Sequence, residues 1–481
     1  MKKVRIALAL CAALVAAALY LRGGAVPAPS PDSQRPRARN VLLIVCDTLR
    51  ANRLGCYGYP RATSPRIDAL AAAGTRYARN YSQACWTLPS MVSLMTGRSV
   101  VDELHQLPSQ ARVLGEVVQH ADIETAAFVA NKGLGQASGF TRGFDVFRSL
   151  DNERADTIAA SFVDWHTKRA AERRWFAWVH FIDPHEPYEP DEAHDRFREP
   201  RLDHERIEAQ IRAAEPEAEK ISPDPRTQSL TDSLAKAESD SQRYDGEVRS
   251  VDDGVARVLA ELERSGELAQ TLVIFCADHG EMLYEHRQQP VFTQRSFDVN
   301  GHLPQGVLEL FGHGHRPWYY EPLWNTPLVL AGPGMPAGDV RTTLSANLDI
   351  FPTVLEALGL PALHALEGRS LCGGRESDRE RVFAHGHQVS AVIERNGLKL
   401  MLQSPLLFLE PATSPERPEL HDLTSDPGEE IDLAGERTAE RDRLMREILA
   451  WRARSPHYGA TPTDERQLRI LKQFGYVDED R

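Results

Sequence analysis

Two stretches decide the fold: NVLLIVCD at residues 40–47 and TLVIFCADHG at residues 271–280. Each is an almost unbroken apolar run closed by an acid. A strand with one wet face alternates apolar and polar residues, whereas a continuous apolar run fits a strand buried on both faces, as in a parallel sheet covered by helices. WFAWVHFIDPHEPY at 175–188 is built the same way and closes with Asp183 and His185. Open α/β sheets bind ligands beyond the carboxyl ends of their strands. The three runs therefore carry Asp47, Asp183, His185, Asp278 and His279 to one rim. The expected fold class is α/β, with a large mixed, mostly parallel sheet covered by helices.

Helical patterns lie between these runs. PRIDALAAAG at 65–74 ends with Gly74 placed as a C-cap. Residues 203–260, rich in Glu, Arg, Lys, Gln and Ala, are expected to be mostly helical with a looser section around 222–231, their charges covering a solvated face. From about residue 375 the pattern changes. RVFAHGHQVSAVIERNGLKLML alternates strongly and carries the Asn396-Gly397 hairpin signal. A main domain at 40–374 and a small C-terminal antiparallel subdomain at 375–460 are expected, with a helix over 434–454 and a polar tail at 461–481. A chain of 481 residues has ample material for both.

Lys2, Lys3 and Arg5 precede a charge-free run from Ile6 to Leu21. Positive charge before an apolar run predicts export, to the periplasm or cell envelope, with residues 1–22 serving as a cleaved signal or a retained anchor. Retention would associate the protein with a membrane through residues 6–21. Residues 23–39, rich in Pro, Gly, Ala and Arg, read as a flexible tether. Cys46, Cys56, Cys85, Cys276 and Cys372 are an odd set without zinc spacing and read as small buried hydrophobes. A net charge of -13 argues against nucleic acid as a partner.

Asp47, Asp278 and His279 offer hard oxygen and imidazole donors at the ends of two strands, a donor set suited to one divalent cation. Singly, each is unremarkable, since an Asp after a buried strand is more often a helix cap or a loop residue. The adjacent Asp278-His279-Gly280-Glu281 is the stronger signal, because Gly280 permits a tight exit from the strand. In SQACWTLPSMVSLMTGR (82–98), Pro89 and the run after it read as the first turns of a helix, which puts Thr87 at or beside its N-cap. Thr in that place serves as a cap. The same geometry favours an anion, and a metal on Thr87 would turn its hydroxyl into a nucleophile.

NVLLIVCDTLRANRLGCYGY from residue 40 and SPRIDALAAAGTRYARNYSQACWTLPSMVSLMTGR ending at 98 resemble the opening of the sulfatase family, within the alkaline phosphatase superfamily. DPHEPY (183–188), ADHGEML (277–283), GHG (312–314), NTPLVLAGPG (325–334), LDIFPTVLEALGLP (348–361) and LHDLTSDPGEEIDL (420–433) follow in the family's order. The resemblance implies Asp47, Thr87, Asp278 and His279 as metal ligands, with Thr87 in the nucleophile's place. It implies His185 and His313 as catalytic, substrate-contacting histidines and Asn131 as a substrate-binding polar group. Arg50 and His315 read chiefly as structural groups, with a place on the pocket wall as the alternative.

The departures from the family pattern narrow the chemistry. Members that hydrolyse sulfate esters usually carry Cys-x-Pro-x-Arg, whose Cys is oxidised to formylglycine. The aligned residues here are Thr87-Leu88-Pro89-Ser90-Met91, so no formylglycine is expected. Cys46 and Asn52 replace acids found in many relatives. The chain thus resembles the Thr-nucleophile branch, which implies one metal ion, manganese or zinc in preference to calcium. A sulfated threonine lacks the exit that a formylglycine hydrate has, whereas a phosphorylated one is cleared by in-line attack at phosphorus. Three readings are ranked in order: a hydrolase or transferase acting on phosphate-type esters, a sulfate-ester hydrolase with an atypical nucleophile, and a silent binder of a sulfated or phosphorylated glycan or lipid. In each the partner is an anionic ester. Trp318, Tyr319 and Tyr320 read chiefly as packing residues.

Overall fold

The computed structural model describes residues 37–101, 106–198, 230–287, 311–315, 318–364, 366–386, 388–404 and 414–455, with isolated helical positions between 205 and 213. The export segment, residues 23–36 of the tether and the tail from 461 lie outside the described residues. Among the described residues no helix is long and apolar enough to cross a membrane.

The main sheet contains β1 (Asn40–Cys46), β2 (Thr75–Tyr81), β3 (Glu124–Val129), β4 (Val146–Ser149), β5 (Trp175–Phe181), β6 (Thr271–Ala277), β9 (Leu328–Ala331) and β10 (Asp339–Ala346). A two-stranded ribbon, β7 (Met282–Arg287) with β8 (Phe311–Gly314), leaves it after β6. The order across the main sheet is β10-β2-β9-β6-β1-β5-β3-β4, and β9 runs antiparallel to both its neighbours while the other pairs are parallel. This is the expected mixed, mostly parallel sheet. In β1, Val41, Leu43 and Val45 enter one core and Leu42, Ile44 and Cys46 the other, so the unbroken apolar run is a strand buried on both faces.

The register sets the rim. Cys46, the last residue of β1, pairs with Ala277 of β6 on one side and Phe181 of β5 on the other. Asp47 and Asp278, each one residue beyond that pair, leave adjacent parallel strands at the same level. Strand spacing of about 4.8 Å then forces two carboxylates together.

The helices that bear on the site are α1 (Pro65–Ala72), α2 (Thr87–Thr96), α3 (Ala155–Lys168), α4 (Leu230–Arg264) and the short α5 (Glu321–Trp324). Gly74 differs from its expected role. The C-cap of α1 is Ala73 in right-handed conformation. A Cβ on Gly74 would lie 2.2 Å from the Leu330 carbonyl oxygen, so the glycine is needed for close packing against β9.

The C-terminal sheet is β11 (Arg381–Gly386), β12 (Val389–Glu394), β13 (Leu398–Gln403) and β14 (Arg417–Asp422), antiparallel throughout, with Asn396-Gly397 in the turn between β12 and β13. One face packs on α6 (Thr438–Arg454) through Leu400, Leu402, Leu444 and Ile448, and the other gives Val382, Ala391 and Met401 to the main core. Lys399, fully buried on β13, reaches Glu321 of α5 at 3.1 Å and Glu429 at 2.6 Å, its ammonium 5.3 Å from the Trp324 ring centroid. Removing one partner of a buried ion pair costs about 3–5 kcal/mol, because the other charge is left stranded. Lys399→Met is therefore expected to lower unfolding free energy by about that amount in denaturant titration, and adding Glu429→Gln to restore part of it.

Candidate active site

The β1 exit is sharply bent. Thr48 takes a φ of 54°, a left-handed conformation that a β-branched residue adopts only under constraint. The bend turns the Thr48 N–H onto Asp278 Oδ1 at 3.3 Å, and Tyr244 of α4 locks it by donating to the Thr48 carbonyl at 2.7 Å. Beyond β6, Gly280 passes so close to α5 that a Cβ would lie 1.9 Å from the Pro322 carbonyl oxygen, which is the tight exit read from the sequence.

Asp47, Asp278, His279 and Thr87 converge. Thr87 is the first residue of α2, with Trp86 as N-cap. Its Oγ1 lies 3.3 Å from Asp47 Oδ1 and 3.3 Å from His279 Nε2. His279 Nε2 is 3.5 Å from Asp47 Oδ1 and 3.6 Å from Asp278 Oδ2. The His279 Nδ1–H donates to the Gly280 carbonyl at 2.8 Å, which fixes the tautomer and leaves the Nε2 lone pair toward the acids. Burial drops the His279 pKa to about 3, with His315 adding to the effect, so the ring is neutral at neutral pH. Burial, and then the charge of Asp47, pushes Asp278 well above the usual carboxylate range.

His180, which the sequence reading passed over as one residue of an apolar strand, completes the cluster. Asp47, His180 and Asp278 each offer an atom within 4.8 Å of the others. The His180 ring is fully buried, its Nε2 is 4.0 Å from Asp47 Oδ2, and neither ring nitrogen has a hydrogen-bond partner. Burial lowers it to about 4. The signal for it was a histidine inside an otherwise unbroken apolar run.

The residues present fit a divalent cation. Two fully buried carboxylates face each other, and Asp278 Oδ2 has no hydrogen-bond partner. Two neutral imidazoles and a hydroxyl stand around them. A mixed set of carboxylate, imidazole and hydroxyl donors suits a divalent metal ion.

Asn131 donates to Asp47 Oδ2 at 2.7 Å and accepts from the Gly133 N–H at 2.8 Å, so in this structure its amide orients the carboxylate. Arg50 is a bracing group, buried against Glu285 at 2.5 Å with its Nε on Asn52 at 3.0 Å. Trp318, Tyr319 and Tyr320 are all buried packing residues. Of the five cysteines after residue 40, Cys46, Cys85 and Cys276 are buried and Cys56 and Cys372 partly buried.

His185 donates its Nδ1–H to the Glu186 carbonyl at 2.6 Å. Its ring lies 4.9 Å from that of His315, which lies 4.9 Å from His279. His313, on β8, has Nδ1 3.6 Å from Glu186 Oε2. The segment carrying His185 is clasped at both ends. Arg154, the N-cap of α3, lies 3.9 Å from Asp183 and 3.3 Å from Glu247 and donates to the Glu189 carbonyl at 2.7 Å. Glu247 accepts from the Glu189 N–H at 2.8 Å.

Two buried carboxyls thus share one arginine. Burial, with Asp183 beside it, pushes Glu247 up to about 8 from 4.5. The folded state then holds a proton that the unfolded chain releases above its own pKa, so stability falls as pH rises from about 4.5 to about 8 and is flat beyond. Glu247→Gln is expected to remove this slope, on the order of a few kcal/mol between those limits. Denaturant titrations of both proteins at pH values inside and above the window check it.

A family model described as Sulfatase matches residues 39–360. The chain belongs to the Sulfatase family. It is 28% identical over 245 residues to the multifunctional alkaline phosphatase superfamily protein PehA of Trinickia caryophylli, covering 46% of this chain and 42% of the relative. It is 25% identical over 209 residues to arylsulfatase K of Bos taurus, covering 40% of this chain and 34% of the relative. The matches thus span less than half the length of these curated relatives. Among solved structures, the phosphonate monoester hydrolase of Agrobacterium radiobacter shares the fold with a TM-score of 0.63 at 19% identity, over 86% of this chain and 95% of that one.

Proposed function

We propose that the protein is a metal-dependent hydrolase or transferase that cleaves phosphate-type esters through Thr87. The observation that carries this reading is the Thr87 hydroxyl at a helix N-terminus, 3.3 Å from both Asp47 and His279, beside two buried carboxylates. Asp47, Asp278, His279 and Thr87 would hold the ion, with His180 as a further donor. When bound, the metal would neutralise the paired carboxylates, lower the hydroxyl pKa of Thr87 and polarise the ester.

Thr87 gives up its hydroxyl proton to solvent and attacks phosphorus in line, the bond from phosphorus to the leaving oxygen breaks, and His313 or His185 protonates that oxygen. Thr87 is thereby esterified. Water in a hydrolase, or an acceptor alcohol in a transferase, then displaces Thr87 from phosphorus. Asn131 keeps Asp47 oriented throughout, and the helix N-terminus favours the anion. The substrate is an anionic ester of a glycan, lipid or small molecule.

The likeness to a multifunctional alkaline phosphatase superfamily protein and to a phosphonate monoester hydrolase supports phosphorus chemistry. The arylsulfatase K match supports a second reading, sulfate-ester hydrolysis with threonine as nucleophile. Export to the periplasm or cell envelope is part of the proposal, supported by Lys2, Lys3 and Arg5 ahead of the run from Ile6 to Leu21, with membrane association if that run is retained.

The test compares kcat/KM of the manganese- and zinc-loaded protein on an aryl phosphate, an aryl phosphodiester, an aryl phosphonate and an aryl sulfate. The expected result is at least a roughly tenfold preference for one of the phosphorus esters, a difference of about 1.4 kcal/mol in transition-state binding. A preference for the sulfate by the same margin would contradict phosphorus chemistry and establish the second reading.

A further inference from the structure

We propose that Tyr284 and Asp240 are positioning residues that set the orientation of His313, an inference that rests on reading His313 as a substrate-facing group. The ribbon of β7 and β8 pairs Leu283 with His313, and its register breaks immediately after that pair. Bulges of this kind re-aim side chains and recur beside active sites. Tyr284, the next residue, takes a φ of 71°, a left-handed conformation disfavoured for an aromatic side chain. The break is braced. Glu285 accepts from the Leu283 N–H at 2.7 Å and from Arg50 at 2.5 Å, tying the bulge to the β1 exit.

The strained residue lays its ring over His313, with centroids 4.8 Å apart and planes at 21°. Its hydroxyl donates to Asp240 Oδ2 of α4 at 2.6 Å, and the same oxygen lies 3.8 Å from His313 Nε2. The imidazole is thus held from every side. Tyr284 covers one face, Tyr188 stands edge-on at 6.0 Å, Glu186 faces Nδ1 and Asp240, itself paired with Lys236 at 2.8 Å, faces Nε2. Glu281 approaches from across Gly314, where a Cβ would meet Glu186 at 3.8 Å and Glu281 at 3.9 Å. Packing alone gives no reason to force a tyrosine into a left-handed bulge, whereas holding a proton-donating ring at a fixed angle does.

The experiment pairs kinetics with a spectroscopic reading in the metal-loaded full chain, using Tyr284→Gly, Tyr284→Phe and Asp240→Asn. Histidine labelled at Cε1 reports the His313 ring, assigned by its loss in His313→Gln. Tyr284→Gly, which suits the backbone conformation but removes a buried ring, is expected to stay folded while melting below the parent, and to move the His313 resonance downfield as the stacked ring is removed. The same variant is expected to lose about tenfold or more in kcat on an ester with a poor leaving group, and about threefold or less on a good one, with KM little changed. Tyr284→Phe keeps the ring but cuts the bridge to α4, Asp240→Asn keeps an acceptor for Tyr284 but removes the charge facing His313, and both are expected to show a smaller loss of the same kind. An unmoved His313 resonance in Tyr284→Gly, or a loss that is equal for good and poor leaving groups, overturns the proposal. A parent that turns over no ester sinks the proposed function, while the resonance still decides whether the bracket holds His313.

Discussion

Thr87→Ala is expected to cut kcat/KM on the preferred ester by roughly a thousandfold or more, since loss of a covalent nucleophile leaves only the residual effect of binding and charge stabilisation. The fold should survive the change. Thr87 is the first residue of α2, the N-cap is Trp86, and no side-chain cap is lost. The remaining penalty is one buried hydroxyl, worth about 1 kcal/mol. Thr87→Ser keeps the hydroxyl and should retain a measurable part of the activity. The check is steady-state kinetics beside thermal melting of parent and both variants. An alanine variant with parental turnover would remove Thr87 from the chemistry.

Metal removal is expected to have the second largest effect, and on stability as well as rate. Asp47 and Asp278 are fully buried just beyond the ends of adjacent strands, and two neutral imidazoles bring no positive charge to offset them. A cation that binds only the folded state, at a thousand times its dissociation constant, stabilises by about 4 kcal/mol. Chelation should therefore lower the melting temperature by several degrees as well as abolish turnover. Asp278→Asn removes the carboxyl that the metal-free protein must either protonate or leave facing Asp47, so its metal-free form should melt above the metal-free parent and respond little to chelator. Scanning calorimetry with and without chelator measures both. Identical melting of the parent in the two conditions would contradict a structural metal at this rim.

Much of this site was legible because its donors lie where strands end. An apolar run closed by an acid is a local pattern, and the parallel register that sets Asp47 beside Asp278 follows from two such runs becoming neighbours. Thr87 was readable from the helix signal after it. The Asn396-Gly397 turn located the small sheet in the same way. What sequence did not carry was direction and distance. His180 sits on β5 among residues that bury equally well on either face, so periodicity could not distinguish a donor from a core residue. The bond from Asn131 to Asp47 joins residues 84 positions apart, and nothing local to either predicts it. Lys399 alternates like a solvated residue, yet it is buried because α5 brings Glu321 to it. Tyr284 was invisible because its role depends on a register break between two strands, and aromatic residues carry no sequence mark of a left-handed backbone.

The covalent intermediate is the most direct test of the account. Metal-loaded protein is mixed with an excess of the preferred aryl phosphate ester, quenched in acid during turnover, digested and analysed by mass spectrometry. The account predicts one added phosphoryl group on the peptide carrying Thr87, with fragmentation locating it on that residue and its disappearance when substrate is exhausted. Turnover with that peptide unmodified throughout, or with the group on another residue, would contradict it.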